Sequence, residues 1–556
     1  MTNFSIEALE RSDRFQPPGG PVVFVIMDGV GVGCGDEFDA VANARTPTLD
    51  RLRGAAHYRE LIAHGTRVGL PGDGDMGNSE VGHNILGAGR VFDQGAKCVD
   101  SAIESGSIWD GTWRALVDGV VDRGRALHFV GLLSDGNVHA SMQHLHAMLS
   151  QATAAGVRRI YLHCLLDGRD VPDPSAEVYI EQLETWLADF RSRYGGDFRI
   201  ASGGGRMTTT MDRYGADWGM VERGWAAHVH GDAAGFASAL EAVMHFRAET
   251  PGVSDQFLPA FVIVDEAGAP IAPMVDGDAV VLYNFRGDRA LELSRAFVED
   301  DDFVAFDRGA RPEVEFVGMV QYDGDTVMPP KFLVSPETVT GTISEYLACS
   351  GLRQFACSET QKFGHVTFFW NGNRSAKFSD GLEDYLEIPS DRVPFEQRPW
   401  MKAAETADAM VEAIESGNYQ FLRCNFAGGD MVGHTGSVTA VRMSVEAVDL
   451  GLERIHAAVE KAGGVLVVTA DHGNADDMVE RHKDGSPKLR ESGTPQFRTS
   501  HSLNPVPFYI LDFSTRKLRL RAGLNDAGLA NVAPTLIELL GYRKPQEYDA
   551  SLLDWD

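Results

Sequence analysis

The chain predicts an α/β fold, and three observations carry the prediction: short apolar runs bounded by turn residues, longer stretches of helical period between them, and acidic or histidine residues where the runs end. Apolar runs without alternation suit strands buried on both faces, the pattern of a parallel sheet covered by helices. The first run, Pro21 to Met27 (PVVFVIM), reads as such a strand. Thr46 and Pro47 then supply an N-cap and a first-turn proline to a helix through Leu49 and Leu52.

At 556 residues the chain exceeds what one hydrophobic core organises, so at least two domains are expected. From about Gly95 to Tyr322, strands are predicted near Leu127–Leu133, Ile160–Leu166, Phe198–Ala201 and Ala279–Phe285, with helices over Ser141–Ala155 and Ser175–Tyr194. This block reads as self-contained. A linker is expected near Asp93–Ala96, and the turn-forming stretch from Tyr322 to Pro330 reads as another. The amino-terminal strand has little to pair with before the block begins. The expected organisation is therefore one domain built from residues 1–95 and 335–556, with residues 96–322 inserted into it.

Composition restricts the partners. With 50 basic against 80 acidic residues the formal charge is −30, which repels nucleic acid and anionic membrane surfaces. An anionic substrate is repelled too, so a phosphate ester would need a local cluster of arginines or metal ions to overturn that field. Six cysteines without a CxxC pair suit a reducing cytoplasm. No segment approaches the ~20 apolar residues that cross a bilayer, so no membrane partner is expected.

Four places put candidate ligands after a predicted strand: Asp28; Asp430 with His434; Asp471 with His472; and His501. Each alone reads more readily as a turn residue, a cap or a surface pair. In combination, three aspartates and three histidines suit two ions such as Mn²⁺, Zn²⁺, Co²⁺ or Mg²⁺, which would clamp the attacking and leaving oxygens of a phosphoryl group. Ser79, in Asp-Met-Gly-Asn-Ser-Glu-Val-Gly-His (75–83), sits at a predicted helix start. Free N–H groups there would stabilise a serine alkoxide or a phosphoserine, and the competing reading is that Ser79 is only an N-cap.

Met-Asp-Gly at 27–29, Gly-Asn-Ser-Glu-Val-Gly-His at 77–83 and Ala-Asp-His-Gly-Asn at 470–474 resemble the cofactor-independent phosphoglycerate mutases, members of the alkaline phosphatase superfamily. The resemblance spans nearly the whole chain. It implies an alkaline-phosphatase-like metal domain with a substrate-binding (transferase) domain inserted, acting as a cytoplasmic monomer in glycolysis and gluconeogenesis. It also implies two divalent ions, Mn²⁺ first with Mg²⁺, Co²⁺ and Zn²⁺ as alternatives, and no need for 2,3-bisphosphoglycerate. Asp430, His434 and His501 would hold one ion, and Asp28, Ser79, Asp471 and His472 the other, with Ser79 the nucleophile.

The resemblance further implies substrate groups at His139, Arg169, Asp170, Arg206, Arg213, Arg286, Arg289 and Lys362, with Asp170 as general acid and base and His139 orienting the phosphate or a hydroxyl. Arginine forks grip carboxylate and phosphate bidentately, which would supply the local reversal of field. The Arg206–Arg213 interval is slightly longer than in bacterial members, and a polar insert lies between Asp476 and His501. Length and insert resemble the plant and trypanosomatid branch. The rival reading is another metal-dependent phosphomutase or phosphatase of the superfamily. A sulfatase is disfavoured because no cysteine begins Cys-x-Pro-x-Arg.

Overall fold

The computed structural model describes residues 6–554 except 56, 71, 214–215, 301–302, 324–325, 336–338, 491 and 515. Two compact units form, one discontinuous (Met1–Gln94 with Thr338–Asp556) and one inserted (Gly95–Glu337). In chain order the discontinuous unit begins with β1 (Val22–Met27) and β2 (His57–Leu61). The inserted unit holds β3 (Leu127–Leu133), β4 (Arg159–Leu166), β5 (Asp197–Gly205), β6 (Ala234–Phe236), β7 (Phe261–Ile263), β8 (Ala279–Leu282), β9 (Glu315–Val320) and β10 (Phe332–Val334). The discontinuous unit then resumes with β11 (Gln354–Glu359), β12 (Glu383–Ile388), β13 (Phe421–Phe426), β14 (Val465–Thr469) and β15 (Val506–Asp512).

Its sheet runs β12-β11-β13-β1-β14-β15-β2. Every residue of β1 is buried, as its unbroken apolar sequence requires, and the strand pairs in parallel with β13 and β14. The 25-residue helix Val438–Ala462 covers this sheet through Val448, Leu452, Ile455 and Val459, and the same stripe, in steps of three and four, continues through Val441 and Val445 into a smaller cluster with Met431 and Val432. Ser437 caps it by accepting from Ala440 N, and Gly463, at φ 64°, ends it in the left-handed region. β15 is antiparallel to β14, so its first residues lie at the edge where β1, β11, β13 and β14 finish.

The sheet of the inserted unit runs β10-β9-β8-β3-β4-β5-β7-β6 and is parallel except between β5 and β7. Its predicted helices are present as Met142–Ala154 and Ala176–Tyr194, the first capped by Ser141 accepting from Gln143 N. The turn-rich stretch after Tyr322 differs from expectation. It leads into β10, which pairs with β9 through Phe332 opposite Gly318, so the unit extends to Glu337; Gly324 and Asp325 of that stretch lie outside the described residues. The linker expected at 93–96 is likewise cut short, because a helix begins at Gly95. Among the described residues no helix is long and apolar enough to cross a membrane.

Candidate active site

The strand ends of the discontinuous unit bring its expected ligands together. Asp28 follows β1, Asp430 lies on the short helix Gly428–Gly433 after β13 with His434 as its C-cap, and Asp471 and His472 follow β14. Lys362 lies in the turn of helix after β11. His501 corrects the sequence reading, since it precedes rather than follows a strand; the antiparallel run of β15 carries it to the same edge. Gly29, at φ 72°, lets β1 turn away against Asp430, where a Cβ would come within 2.6 Å of the Asp430 nitrogen.

Ser79 opens the helix Ser79–Ala88, and the cap of that helix is Asn78, whose side chain accepts from Val81 N at 3.0 Å. The Ser79 hydroxyl is thereby free for other contacts, which removes the reading of Ser79 as an N-cap. Its Oγ lies 2.9 Å from His472 Nε2 and 3.2 Å from Asp28 Oδ1, and accepts a hydrogen bond from Lys362 Nζ. Lys362 Nζ also donates to Asp28 Oδ1 and Asp430 Oδ2, both at 2.7 Å. Asp430 Oδ1 stands 3.0 Å from both His434 Nε2 and His501 Nε2.

Among the described residues two groups of three could each hold a metal ion: Asp430, His434 and His501; and Asp28, Asp471 and His472, each with its ligand atoms within 4.8 Å of one another. The donor chemistry fits. In all three histidines Nδ1 faces a backbone carbonyl, of Thr499, Gly473 and Gly77 respectively for His434, His472 and His501. A carbonyl only accepts, so each Nδ1 carries the proton and each Nε2 is left to face the cluster.

Electrostatics agree with that fit. Burial opposes ionisation of Asp430, but Lys362 and His434 outweigh it and hold its carboxyl well below the usual carboxylate range. Asp471 is also held low, burial again being outweighed by His472 and His83. Burial disfavours a charge on His472, yet Asp471, Asp28 and Asp430 push its imidazole up to about 9. Burial and the neighbouring His472 lower His501. Three buried carboxylates thus surround few cations, a surplus of negative charge that divalent ions would neutralise.

In the inserted unit Arg169, Arg206, Arg213, Arg286 and Arg289 are all buried, as are His139 and Asp170. Three aspartates offset the five guanidinium groups. Arg206 pairs with Asp167 at 2.8 Å and with Asp170, while Asp288 lies 2.9 Å from Arg286 Nε and 3.8 Å from Arg213. His139 stands 4.0 Å from Asp170 and 3.6 Å from Asp288. Burial pushes His139 well below the usual imidazole range, and Arg206 and Arg286 push the same way, so it is neutral. Burial and the crowding of Arg213 and Arg169 also lower Arg289. A surplus of buried positive charge of this kind is a place for an anion.

Sequence reasoning missed several residues that shape both clusters. Asn425 donates to Asp28 Oδ2 at 2.7 Å and lies 3.1 Å from His83 Nε2, and His83 Nδ1 is 3.3 Å from Asp471 Oδ2. Asp476 accepts from Gly31 N, Asn474 N, Ser502 and Asn504, and so ties the loops around β14 to those before β15. Asp167 and Asp288 order the arginines. The available signal was a polar residue inside an apolar strand, as with Asn425 in FLRCNF, or a carboxylate between arginines, as with Asp288 in FRGDR.

Residues 20–544 match the Metalloenzyme superfamily. The 2,3-bisphosphoglycerate-independent phosphoglycerate mutase of Trypanosoma brucei brucei is 51% identical over 543 residues, 97% of this chain and 98% of that one. A probable 2,3-bisphosphoglycerate-independent phosphoglycerate mutase of Arabidopsis thaliana is 48% identical over 97% of this chain and 96% of its own length. The crystal structure of Leishmania mexicana phosphoglycerate mutase at low cobalt concentration superposes with a TM-score of 0.96 at 50% identity, covering 99% of this chain and 100% of that one.

Proposed function

Because the chain belongs to the 2,3-bisphosphoglycerate-independent phosphoglycerate mutases, within the Metalloenzyme superfamily, we propose that it interconverts 3-phosphoglycerate and 2-phosphoglycerate through a phosphoserine at Ser79. The observation that carries this reading is the Ser79 hydroxyl itself: uncommitted to capping, at a helix N-terminus, and in contact with Lys362 and His472. Asp430, His434 and His501 would hold one divalent ion, and Asp28, Asp471 and His472, with Ser79 beside them, a second; Mn²⁺ is our first choice, and the mixed nitrogen and oxygen donors suit Mg²⁺, Co²⁺ and Zn²⁺ as well. Bound there, such ions would act as Lewis acids on phosphoryl oxygens and favour the serine alkoxide.

The chain's own groups divide the remaining work. Lys362 places an ammonium beside Ser79 Oγ, where the transferring phosphoryl group gathers charge. The helix Ser79–Ala88 directs its first N–H groups and positive dipole end toward the same place. In the inserted unit the arginines retain glycerate between the two transfers, so that it reorients without leaving. Asp170 gives a proton to the 3-oxygen as the phosphoryl group leaves it for Ser79 and regains one from the 2-hydroxyl as that oxygen attacks the phosphoserine, with neutral His139 orienting the hydroxyl. The free cysteines suit a cytoplasmic enzyme, and we take it to act as a monomer on a small-molecule substrate.

The test is a coupled assay of 2-phosphoglycerate formation from 3-phosphoglycerate with no 2,3-bisphosphoglycerate present, with and without added Mn²⁺. Turnover that depends on Mn²⁺ is expected. Release of inorganic phosphate without isomer formation would replace this reading with a phosphatase.

A further inference from the structure

A row of buried polar side chains crosses the sheet of the inserted unit and has no place in the chemistry above. It runs from Asp278, just before β8, through His128 on β3, His163 on β4 and Ser202 on β5 to His228 and Thr210, and all six are at most 2% exposed. The contacts are continuous. His128 Nε2 lies 3.4 Å from Asp278 Oδ2, and His128 Nδ1 lies 3.0 Å from His163 Nε2. Ser202 Oγ lies 2.7 Å from His163 Nδ1 and 2.7 Å from His228 Nδ1, and His228 Nε2 lies 2.9 Å from Thr210 Oγ1.

With every histidine of the row neutral, one arrangement of protons satisfies every member. Asp278, although burial works against its charge, is kept ionised by His128 and by the N–H groups of Ala126 and Val275, so it only accepts. Burial keeps His163 and His228 neutral, the latter pushed down to about 3, so each has a single N–H. Starting at the carboxylate, His128 Nε2–H donates to Asp278, His163 Nε2–H to His128, Ser202 O–H to His163, His228 Nδ1–H to Ser202, and Thr210 O–H to His228 Nε2. The opposite sense requires a charged His128.

The far end of the row is a strained residue. Thr210 has φ 70°, a region that β-branched side chains rarely enter, and it lies between Arg206 and Arg213. Its conformation is held by the bond to His228 and by its own N–H donating to Met220 O at 2.9 Å. Gly224 leaves the room, since a Cβ there would overlap Thr210 Oγ1. The carbonyl of the next residue, Met211, accepts a hydrogen bond from Arg289 Nη1 at 2.5 Å.

We propose that Thr210 is a positioning residue for substrate: held by the row from Asp278 to His228, it sets the Arg206–Arg213 loop and, through the Met211 carbonyl, aims Arg289 at the anionic ligand. This rests on reading the arginines as the phosphoglycerate grip. Thr210→Val keeps the shape and removes the hydroxyl; it should raise KM for 3-phosphoglycerate about tenfold while kcat changes by less than about twofold, and Thr210→Ser should restore KM. Arg289→Lys is the control. If it raises KM while Thr210→Val does not, the positioning role is overturned; if Arg289→Lys itself leaves KM unchanged, the substrate role of the arginines is what fails.

A second measurement needs neither activity nor a variant. Nitrogen NMR of the intact, histidine-labelled protein should show a neutral His228 ring with both nitrogens hydrogen-bonded. A His228 Nε2 without a hydrogen-bond partner would detach Thr210 from the row and overturn the proposal, even if Thr210→Val failed to fold.

Discussion

Lys362 is the sharpest place to perturb, because one ammonium satisfies two buried carboxylates. Its Nζ lies 2.7 Å from Asp28 Oδ1 and 2.7 Å from Asp430 Oδ2, and all three side chains are at most 3% exposed. Lys362→Met keeps the length and removes the charge, leaving Asp28 and Asp430 to share the His472 imidazole, 3.5 and 3.9 Å away, in place of the ammonium. Breaking a buried pair by removing one partner costs about 3–5 kcal/mol, most of it from the charge left behind. Divalent ions held by these same carboxylates would supply the missing cation. At a free ion concentration ~1,000 times Kd, binding to the folded state contributes about 4 kcal/mol, the same size as the loss.

The expected outcome is therefore conditional. In chelator the variant should unfold at lower urea than the parent, by about 3–5 kcal/mol in extrapolated stability, and in saturating Mn²⁺ most of that difference should disappear. Paired urea titrations followed by tryptophan fluorescence, each with chelator and with Mn²⁺, measure it. An equal loss under both conditions would refute the reasoning, since metal would then not be taking over the partners of Lys362.

Three further outcomes follow from the same geometry. Ser79→Ala should abolish turnover while elemental analysis still finds metal at the site of Asp430, His434 and His501, and a phosphoserine trapped on the parent enzyme should map to Ser79; substantial residual turnover would remove Ser79 from the mechanism. Without metal His472 holds its proton up to about pH 9, so metal binding below that pH must release it, and affinity should fall about tenfold per pH unit on acidification. Excess Mn²⁺ should accordingly move the acid limb of the activity profile to lower pH, and a limb indifferent to Mn²⁺ would assign it to another group. Asp288→Asn removes the carboxylate among Arg213, Arg286 and Arg289, and should cost about 3 kcal/mol of stability that added phosphoglycerate partly restores, as read by thermal melting with and without ligand.

What the sequence determined by itself was local: the α/β class, the apolar strands β1 and β14, the helices after Ser141 and Ser175, and the chemical types gathered in the motifs around Ser79, Asp471 and Arg286. Periodicity, capping and turn chemistry act over a few residues, so they can be read along the chain. The tertiary structure alone decided partners. Lys362 meets Asp28 across 334 positions, and His501 reaches the cluster because β15 runs antiparallel to β14, which no pattern near residue 501 announces. That Ser79 does not cap its helix was likewise decided by Asn78 taking the cap. Asn425 and Asp288 left only a faint trace in the sequence and the row from Asp278 to Thr210 left none, because a buried polar group gets its meaning from the side chain facing it on another strand. Strand order, not local pattern, chooses that neighbour.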